Sequence, residues 1–149
     1  MISGANFTLR KGTLTDLDAI KALVDQHKKE LGFVTRPALH ESLERAEIFV
    51  AIGMHSTHIT GIVHYRHRRD GQTTLYNLAV AVASQKIGIG HALVDSLYAE
   101  AITKKQRLIL LKCPQVLPSN TFYKHYGFTC TAIEPGKKQP LNIWSLTIP

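Results

Sequence analysis

The sequence predicts one mixed α/β domain: a central, mostly antiparallel sheet with one parallel strand pair and helices on both faces. Two observations carry this prediction. Helical periodicity in the first third gives way to three β-rich runs, and a later helical segment leads into an apolar run without alternation. Strand, helix and buried strand in this order form a crossover, which makes the two strands parallel. No repeat, low-complexity tract or linker interrupts the 149 residues, so we expect one domain over 1–149.

The composition is that of a soluble globular chain. Hydrophobic residues make up 44% and charged residues 19%, and no apolar run approaches the ~20 residues of a membrane-spanning helix. The segment Met1–Phe7 lacks the pattern of a signal peptide. Cys113 and Cys130 show neither zinc-ligand spacing nor a disulfide framework. We therefore expect a cytoplasmic protein without a metal site or a membrane partner, with two free, mostly buried thiols.

The formal net charge of +7 has two interpretations. Excess positive charge attracts a polyanionic partner, such as a phosphate-bearing cofactor or RNA, or it simply keeps the surface solvated. The basic residues are scattered and form no single stripe with interleaved aromatic residues. Charge alone therefore does not favour nucleic acid as a partner.

The first half of the chain is predicted to contain two helices between a first strand and a meander. The first helix begins with a cap at Thr15 and ends at Gly32, and the second begins at Pro37 with Ala46 on its inner face. Asp70-Gly71 is a strong hairpin signal. The predicted strands are, in order, 7–10, 48–52, 59–65 and 74–80, with a turn at 53–57.

The second half is predicted to complete the crossover and close the sheet. A helix follows Gln85, and Lys104 and Lys105 lie at its negative end. The apolar run 108–111 is predicted as an inner strand that is covered on both faces. The remaining elements are a short helix at 120–126 and closing strands at 128–133 and 142–148. Residues 142–146 also suit pairing across a homodimer interface.

The segment Gln85–Ala92 joins the end of a strand to the start of a helix. Gly88 and Gly90 remove side chains where a ligand could approach the backbone. The first amides of the helix, together with its dipole, form an anion site, and Lys86 adds positive charge. The alternative is a glycine turn that serves tight packing. A P-loop is absent, and Leu93 stands where the dinucleotide fingerprint has its third glycine.

This segment resembles the central motif of the GNAT superfamily, Q/R-x-x-G-x-G/A. Residues 120–128, N-T-F-Y-K-H-Y-G-F, resemble the family's second signature, N-x-x-[FL]-Y-x-x-x-G-F, after one intervening helix and strand. The resemblance implies an acetyl-CoA-dependent N-acetyltransferase, in which a primary amine attacks the thioester directly. The alternative is a non-catalytic module on the same fold that senses acyl-CoA or binds RNA.

The resemblance also implies roles for individual residues. Main-chain groups near Leu78 and Val80 would pair with the pantetheine arm and polarise the thioester carbonyl, and Asn120 would anchor the cofactor further along. Tyr123 matches the family's usual acid, which protonates the departing thiolate, and Tyr126 is the second candidate. The residues whose amides would bind the coenzyme A pyrophosphate are Gln85, Lys86, Ile87, Gly88, Ile89, Gly90, His91 and Ala92.

The sequence assigns neither the general base nor the acceptor. Among side chains, the candidates for the base are Glu30, Glu44, Glu47, His64 and Tyr76, and a chain of water molecules is a further alternative. The acceptor is expected to be a small-molecule amine, an amino acid, or an amino group of a peptide or protein.

Overall fold

A seven-stranded sheet forms the centre of the computed structural model, which describes residues 6–54 and 57–149. The strands are β1 (Phe7–Lys11), β2 (Ile48–Gly53), β3 (Ile59–His67), β4 (Gln72–Val80), β5 (Leu108–Pro114), β6 (Thr129–Pro135) and β7 (Pro140–Thr147). Their order is β1-β2-β3-β4-β5-β7-β6, and among the strands of the described residues only β4 and β5 pair in parallel. The predicted mixed sheet with one parallel pair is confirmed.

Helices cover both faces of this sheet, as predicted. They are α1 (Leu17–Gln26), α2 (Lys28–Leu31), α3 (Arg36–Glu44), α4 (Ile89–Thr103) and α5 (Ser119–Tyr126). The core on one face joins α1 and α3 to the sheet through fully buried residues such as Ile20, Leu39 and Ile62. The core on the other face joins α4 and α5 to the sheet, and Leu93 and Leu97 lie at its centre. In the described residues, no helix is both long and apolar enough to cross a membrane.

The first helical region begins earlier than predicted and is divided. The cap is Thr13 and not Thr15, because the Asp16 carboxylate accepts a hydrogen bond from the Thr13 amide at 2.8 Å. A guanidinium N–H of Arg10 donates to the same carboxylate at 2.7 Å and fixes its position. The helical conformation is then lost at His27, which separates α1 from α2. The predicted continuous helix is therefore wrong in its start and in its continuity.

The second helix begins one residue before the predicted start. The hydroxyl of Thr35 accepts a hydrogen bond from the Ala38 amide at 3.3 Å, and Pro37 lies within the first turn. Ala46 was predicted on the inner face, which is wrong: it follows the end of α3, adopts a φ of 57° and is exposed. This left-handed residue redirects the chain from α3 into β2.

The closing part of the sheet corrects three further expectations. β5 is an inner strand, but Leu108 and Leu110 are only half-buried, so its two faces are unequally covered. Residues 142–146 cannot pair across a dimer, because β7 lies between β5 and β6 and is hydrogen-bonded on both edges. Both thiols are free, but Cys130 is exposed on the edge strand while Cys113 is buried. Residues 1–5, in the segment predicted not to be a signal peptide, and residues 55–56, in the predicted turn, lie outside the described residues.

A partly buried charged cluster fixes the C-terminal half of α4 to the sheet. The carboxylate of Glu100 accepts from the Tyr65 hydroxyl at 2.5 Å, lies 2.9 Å from His67 Nε2 and pairs with the Lys11 ammonium. Burial raises the pKa of Glu100, but hydrogen bonds from His67, Lys11 and Tyr65 outweigh burial and lower that pKa to about 2. The carboxylate therefore stays ionised and holds α4 against β1 and β3.

Gly61 of β3 lies directly beneath the start of α4. A Cβ atom at this position would lie 2.8 Å from Ile89 Cγ2 and 3.2 Å from Leu93 Cδ1. We expect Gly61→Ala to lower the free energy of unfolding by about 1–3 kcal/mol, because the helix must shift to make room. Gly90→Ala, where the nearest atom is a Phe122 ring carbon at 3.6 Å, is expected to be neutral or stabilising. Urea denaturation measures both, and equal stability of the Gly61 variant and the wild type would contradict the prediction.

Candidate active site

β4 and β5 pair over only part of their length. Residues 72–74 pair with 108–110, whereas β4 continues to Val80 and β5 to Pro114. Beyond these pairs the facing edges of the two strands are not joined by a ladder. The sheet therefore has an opening between its two halves, at the carboxyl ends of its parallel pair.

A bulge in β4 lies at the start of this opening. His64 of β3 pairs with Asn77, but the next residue of β3 pairs with Leu75, so Tyr76 is the extra residue. Leu75 and Leu78, three residues apart, both contact the core beneath α4. That spacing departs from strand alternation and is the sequence signal for the bulge. The bulge directs Asn77 to the face of the sheet opposite α4, where its side chain is hydrogen-bonded to His64.

Part of the main chain of β4 is directed into the opening. The amide of Ala81 donates to Thr60 of β3 at 2.8 Å. Because successive residues of a strand direct their N–H and C=O groups to opposite sides, Leu78 and Val80 direct theirs away from β3 and into the opening. The Gln85 side-chain amide donates to the Val80 carbonyl at 3.0 Å, which is consistent with this direction. These are the strand groups that sequence analysis associated with the pantetheine arm.

The glycine loop enters α4 through left-handed backbone. Lys86 has a φ of 68° and Gly88 a φ of 91°, and Gly88 is the residue before the first turn of the helix. In the described structure, no atom beyond the immediate chain neighbours lies within 4 Å of the position that a Cβ of Gly88 would occupy. The loop therefore has open space next to the positive end of a fifteen-residue helix.

The amides of this loop are mostly without acceptors. Over 6–54 and 57–149, the main-chain N–H groups of residues 86–91 have no acceptor in the protein. The first and last residues of the predicted phosphate-binding segment do have acceptors. The Gln85 amide donates to the Val82 carbonyl at 3.4 Å, and the Ala92 amide donates to the Gly88 carbonyl at 3.0 Å. The geometry therefore narrows the candidate anion site to residues 86–91.

The two candidate tyrosines have different surroundings. Tyr123 packs edge-on against Phe122 and Phe128, and no described residue accepts or donates a hydrogen bond at its hydroxyl. Burial, and then the neighbouring Cys113, raise the pKa of Tyr123, so the phenol keeps its proton. The Tyr126 hydroxyl instead donates to Asp95 at 2.6 Å. Of the two, only Tyr123 has a hydroxyl without a hydrogen-bond partner among the described residues.

Asn120 is engaged within the protein. Its Nδ2 donates to the carbonyls of Pro114 at 2.8 Å and Leu117 at 2.7 Å, and its Oδ1 accepts from Asn142 at 3.0 Å and the Trp144 indole at 2.9 Å. These bonds occupy both N–H donors and both lone pairs of the side-chain amide. Its cofactor contact stays a prediction, and the geometry favours a role in holding the β5–α5 connection.

The family described as "Acetyltransferase (GNAT) domain" matches residues 44–130, which span β2 to the start of β6. The chain belongs to the GNAT acetyltransferase family. The resemblance and the fold class that were predicted from the sequence are thereby confirmed. No curated protein matches the sequence.

Solved structures show the same fold at low sequence identity. Ard1 from Thermoplasma volcanium has a TM-score of 0.85 at 16% identity, over 96% of this chain and 98% of that chain. The yncA protein of Salmonella typhimurium, solved with its cofactor acetyl-CoA, has a TM-score of 0.81 at 20% identity, over 97% of this chain and 95% of that chain. The ribosomal-protein-S18-alanine N-acetyltransferase of Escherichia coli has a TM-score of 0.78 at 20% identity, over 95% of this chain and 94% of that chain.

This GNAT domain has a cleft of ≈ 350 Å³ beside the bulge, on the face that carries α3. The cleft is formed by α3, the segment before it, and the adjoining parts of β3 and β4. Its lining includes Phe33, Ser42, His64, Arg66, Tyr76 and Asn77. Sequence analysis singled out only His64 and Tyr76 among these. The others were missed because they come from separate elements and form no local motif.

His64 lies on the floor of the cleft and is held neutral. Its Nε2 lies 2.8 Å from Ser42 Oγ, and its Nδ1 lies 3.0 Å from Asn77 Nδ2. Burial lowers the pKa of His64 to about 4. With the Asn77 amide donating to Nδ1, the proton resides on Nε2 and is donated to Ser42. Both ring nitrogens are occupied, which disfavours His64 as the base.

The low pKa of His64 predicts a loss of stability in mild acid. Between pH 6.5 and about 4, the histidine of the unfolded chain binds a proton that the folded chain does not bind. The stabilisation is complete above this range, and about 3 kcal/mol is lost as the pH falls through it. We expect His64→Gln to be less sensitive to pH than the wild type, and His125→Gln, at an exposed position of α5, is the control. Urea denaturation at about pH 7 and about pH 4.5 compares them, and identical pH dependence of both variants would contradict the prediction.

The remaining candidates for the general base differ in whether they line the cleft. Glu30 and Glu44 are exposed and do not line the cleft. Glu47 lines it, and its Oε2 accepts a main-chain amide of β3 at 2.7 Å, whereas its buried Oε1 has no partner among the described residues. Tyr76 is half exposed, with its ring centroid 5.3 Å from that of His64. The cleft thus brings Glu47, His64 and Tyr76 together and leaves the base open.

Proposed function

We propose that this chain is an acetyl-CoA-dependent N-acetyltransferase whose acceptor amine attacks the thioester directly. The observation that carries the proposal is the continuity of the β4–β5 opening with the unpaired amides of residues 86–91. One end of the opening meets a helix N-terminus suited to phosphate, and its edge presents strand groups suited to an amide-containing arm. We propose that the functional domain extends over residues 1–149.

The loop residues fit the phosphate end of coenzyme A. The amides of residues 86–91 would donate to the pyrophosphate, and Lys86 would add a positive charge at the same end. The open space at Gly88 leaves room for phosphate oxygens next to the backbone. The structural neighbour that was solved with acetyl-CoA supports this cofactor for the present fold.

The residues along the opening would support the chemistry. When bound, acetyl-CoA supplies an acetyl group that is activated as a thioester. The Leu78 amide, directed into the opening, would donate to the thioester carbonyl oxygen, where negative charge develops. Tyr123 would donate its phenolic hydrogen to the departing sulfur, and the lack of a hydrogen-bond partner in the described part of the chain supports this role. The acceptor would approach from the cleft, next to the bulge at Tyr76.

Two measurements on the purified protein test the proposal. Calorimetry with acetyl-CoA measures binding, and release of the free thiol in the presence of a panel of primary amines measures turnover. Micromolar binding together with amine-dependent release is the expected result. A folded sample that does not bind acetyl-CoA would contradict the proposal, and binding without turnover of any amine would favour a sensing module.

A further inference from the structure

The cleft beside the bulge indicates the chemical class of the acceptor. We propose that the acceptor is a small primary amine that carries both a carboxylate and an apolar group, as a hydrophobic amino acid does. Arg66 would bind the carboxylate, and Phe33 would contact the apolar group. The inference rests on the proposed N-acetyltransferase function and names the substrate class of the same site.

The position of the cleft connects it to the reaction centre. Tyr76 and Asn77 line the cleft, and Leu78, which follows them, directs its main chain into the β4–β5 opening. Arg66 lies two residues beyond His64 along β3, in the direction away from the opening. A small molecule can therefore place its amine near the opening while its other groups extend along β3 toward Arg66.

Arg66 is the one exposed charge lining the cleft that has no described counter-ion. The other cation of the lining, Arg45, donates to Glu41 at 2.9 Å. Glu47 also lines the cleft but is buried, with Oε2 on a main-chain amide and Oε1 without a described partner, so it is not one of the exposed charges. Within the described ranges, Arg66 forms no ion pair or side-chain hydrogen bond. A guanidinium in this state binds a carboxylate well, through two parallel hydrogen bonds.

The mouth of the cleft is apolar and exposed. Phe33 is 81% exposed and Tyr76 is 50% exposed, although both belong to the lining. Leu31 and Val34 extend the apolar wall on the Phe33 side. Exposed aromatic rings that line a concave surface are typical of ligand contacts, since they gain from burial when the ligand binds. This wall favours an acceptor with an apolar group.

The test compares a charge removal inside the cleft with one outside it. Arg66→Gln removes the proposed carboxylate partner, and Arg69→Gln removes the same charge from an exposed residue that does not line the cleft. Acetylation of leucine and phenylalanine is measured beside that of their amides, which lack the carboxylate. We expect Arg66→Gln to lower the ratio of kcat/KM for acid over amide about 10- to 100-fold, mainly through KM. Arg69→Gln is expected to keep the wild-type ratio.

An amino acid and its amide differ in the basicity of the amine, but this difference is the same for every enzyme variant. Comparing the acid-over-amide ratio of kcat/KM between variants therefore removes its effect. Phe33→Ala provides a second measurement, with an expected rise in KM for phenylalanine but not for glycine. An unchanged ratio in Arg66→Gln would overturn the inference, and so would acetylation confined to amines without a carboxylate, or acetyl-CoA binding without turnover of the amino acids. A wild-type protein that does not bind acetyl-CoA would instead overturn the proposed function.

Discussion

Replacing Gly88 by aspartate is expected to raise the dissociation constant for acetyl-CoA by at least about 100-fold. The new carboxylate would lie beside the unpaired amides of residues 86–91 and would repel the pyrophosphate from the helix N-terminus. The backbone adds strain, because Gly88 has a φ of 91°, where a side chain is disfavoured. Calorimetric titration with acetyl-CoA measures the loss.

Gly32→Asp is the matched control for this variant. Gly32 also has a positive φ, 74°, with open space where a Cβ would lie, and it follows α2, outside the glycine loop. The substitution therefore introduces the same charge at another positive-φ glycine, with larger backbone strain, because Gly32 has a ψ of −156° and Gly88 a ψ of 8°. We expect Gly32→Asp to lose more thermal stability than Gly88→Asp, because its carboxylate lies at a helix C-terminus, and yet to keep the wild-type affinity for acetyl-CoA. Equal affinities of the two variants would show that the loop is not the phosphate site.

Tyr123→Phe is expected to slow turnover by about 100-fold or more while acetyl-CoA binding changes little. The substitution removes the hydrogen that would be donated to the departing sulfur. Because the Tyr123 hydroxyl has no described partner in the protein, its removal breaks no internal hydrogen bond, and the fold should be unaffected. Steady-state kinetics with saturating acetyl-CoA measures kcat for the variant.

Tyr126→Phe makes the same chemical change three residues along α5. Its hydroxyl donates to Asp95, so this variant is expected to lose about 1 kcal/mol of stability and to keep its turnover. Together the two variants distinguish a catalytic role from a structural one. Tyr123→Phe is expected to lower turnover without loss of stability, and Tyr126→Phe to lower stability without loss of turnover. Wild-type turnover in Tyr123→Phe would remove that residue from the mechanism.

The crossover and the glycine loop could be predicted because their signals are local. The helical spacing of Leu93 and Leu97, the unbroken apolar run of β5 and the hairpin residues Asp70-Gly71 each depend on neighbours a few positions away in the sequence. Two motifs in the correct order then indicated the family, which the match over residues 44–130 confirms. Start and end positions were less accurate, as the early cap at Thr13 shows, because Arg10 of β1, six residues before Asp16, fixes the acid that completes that cap, and a contact between two elements leaves no periodic signal.

The sequence by itself determined the order of elements, the crossover, the family and the glycine loop, since periodicity and turn chemistry act over a few residues. Only the tertiary structure decided which groups in the site are free. In the folded chain the side chain of Asn120 is hydrogen-bonded, the hydroxyl of Tyr123 has no partner among the residues described, and Phe33 and Arg66 line one cleft. The physical reason is that hydrogen-bond satisfaction and burial depend on contacts between segments far apart in the chain, which no local pattern encodes.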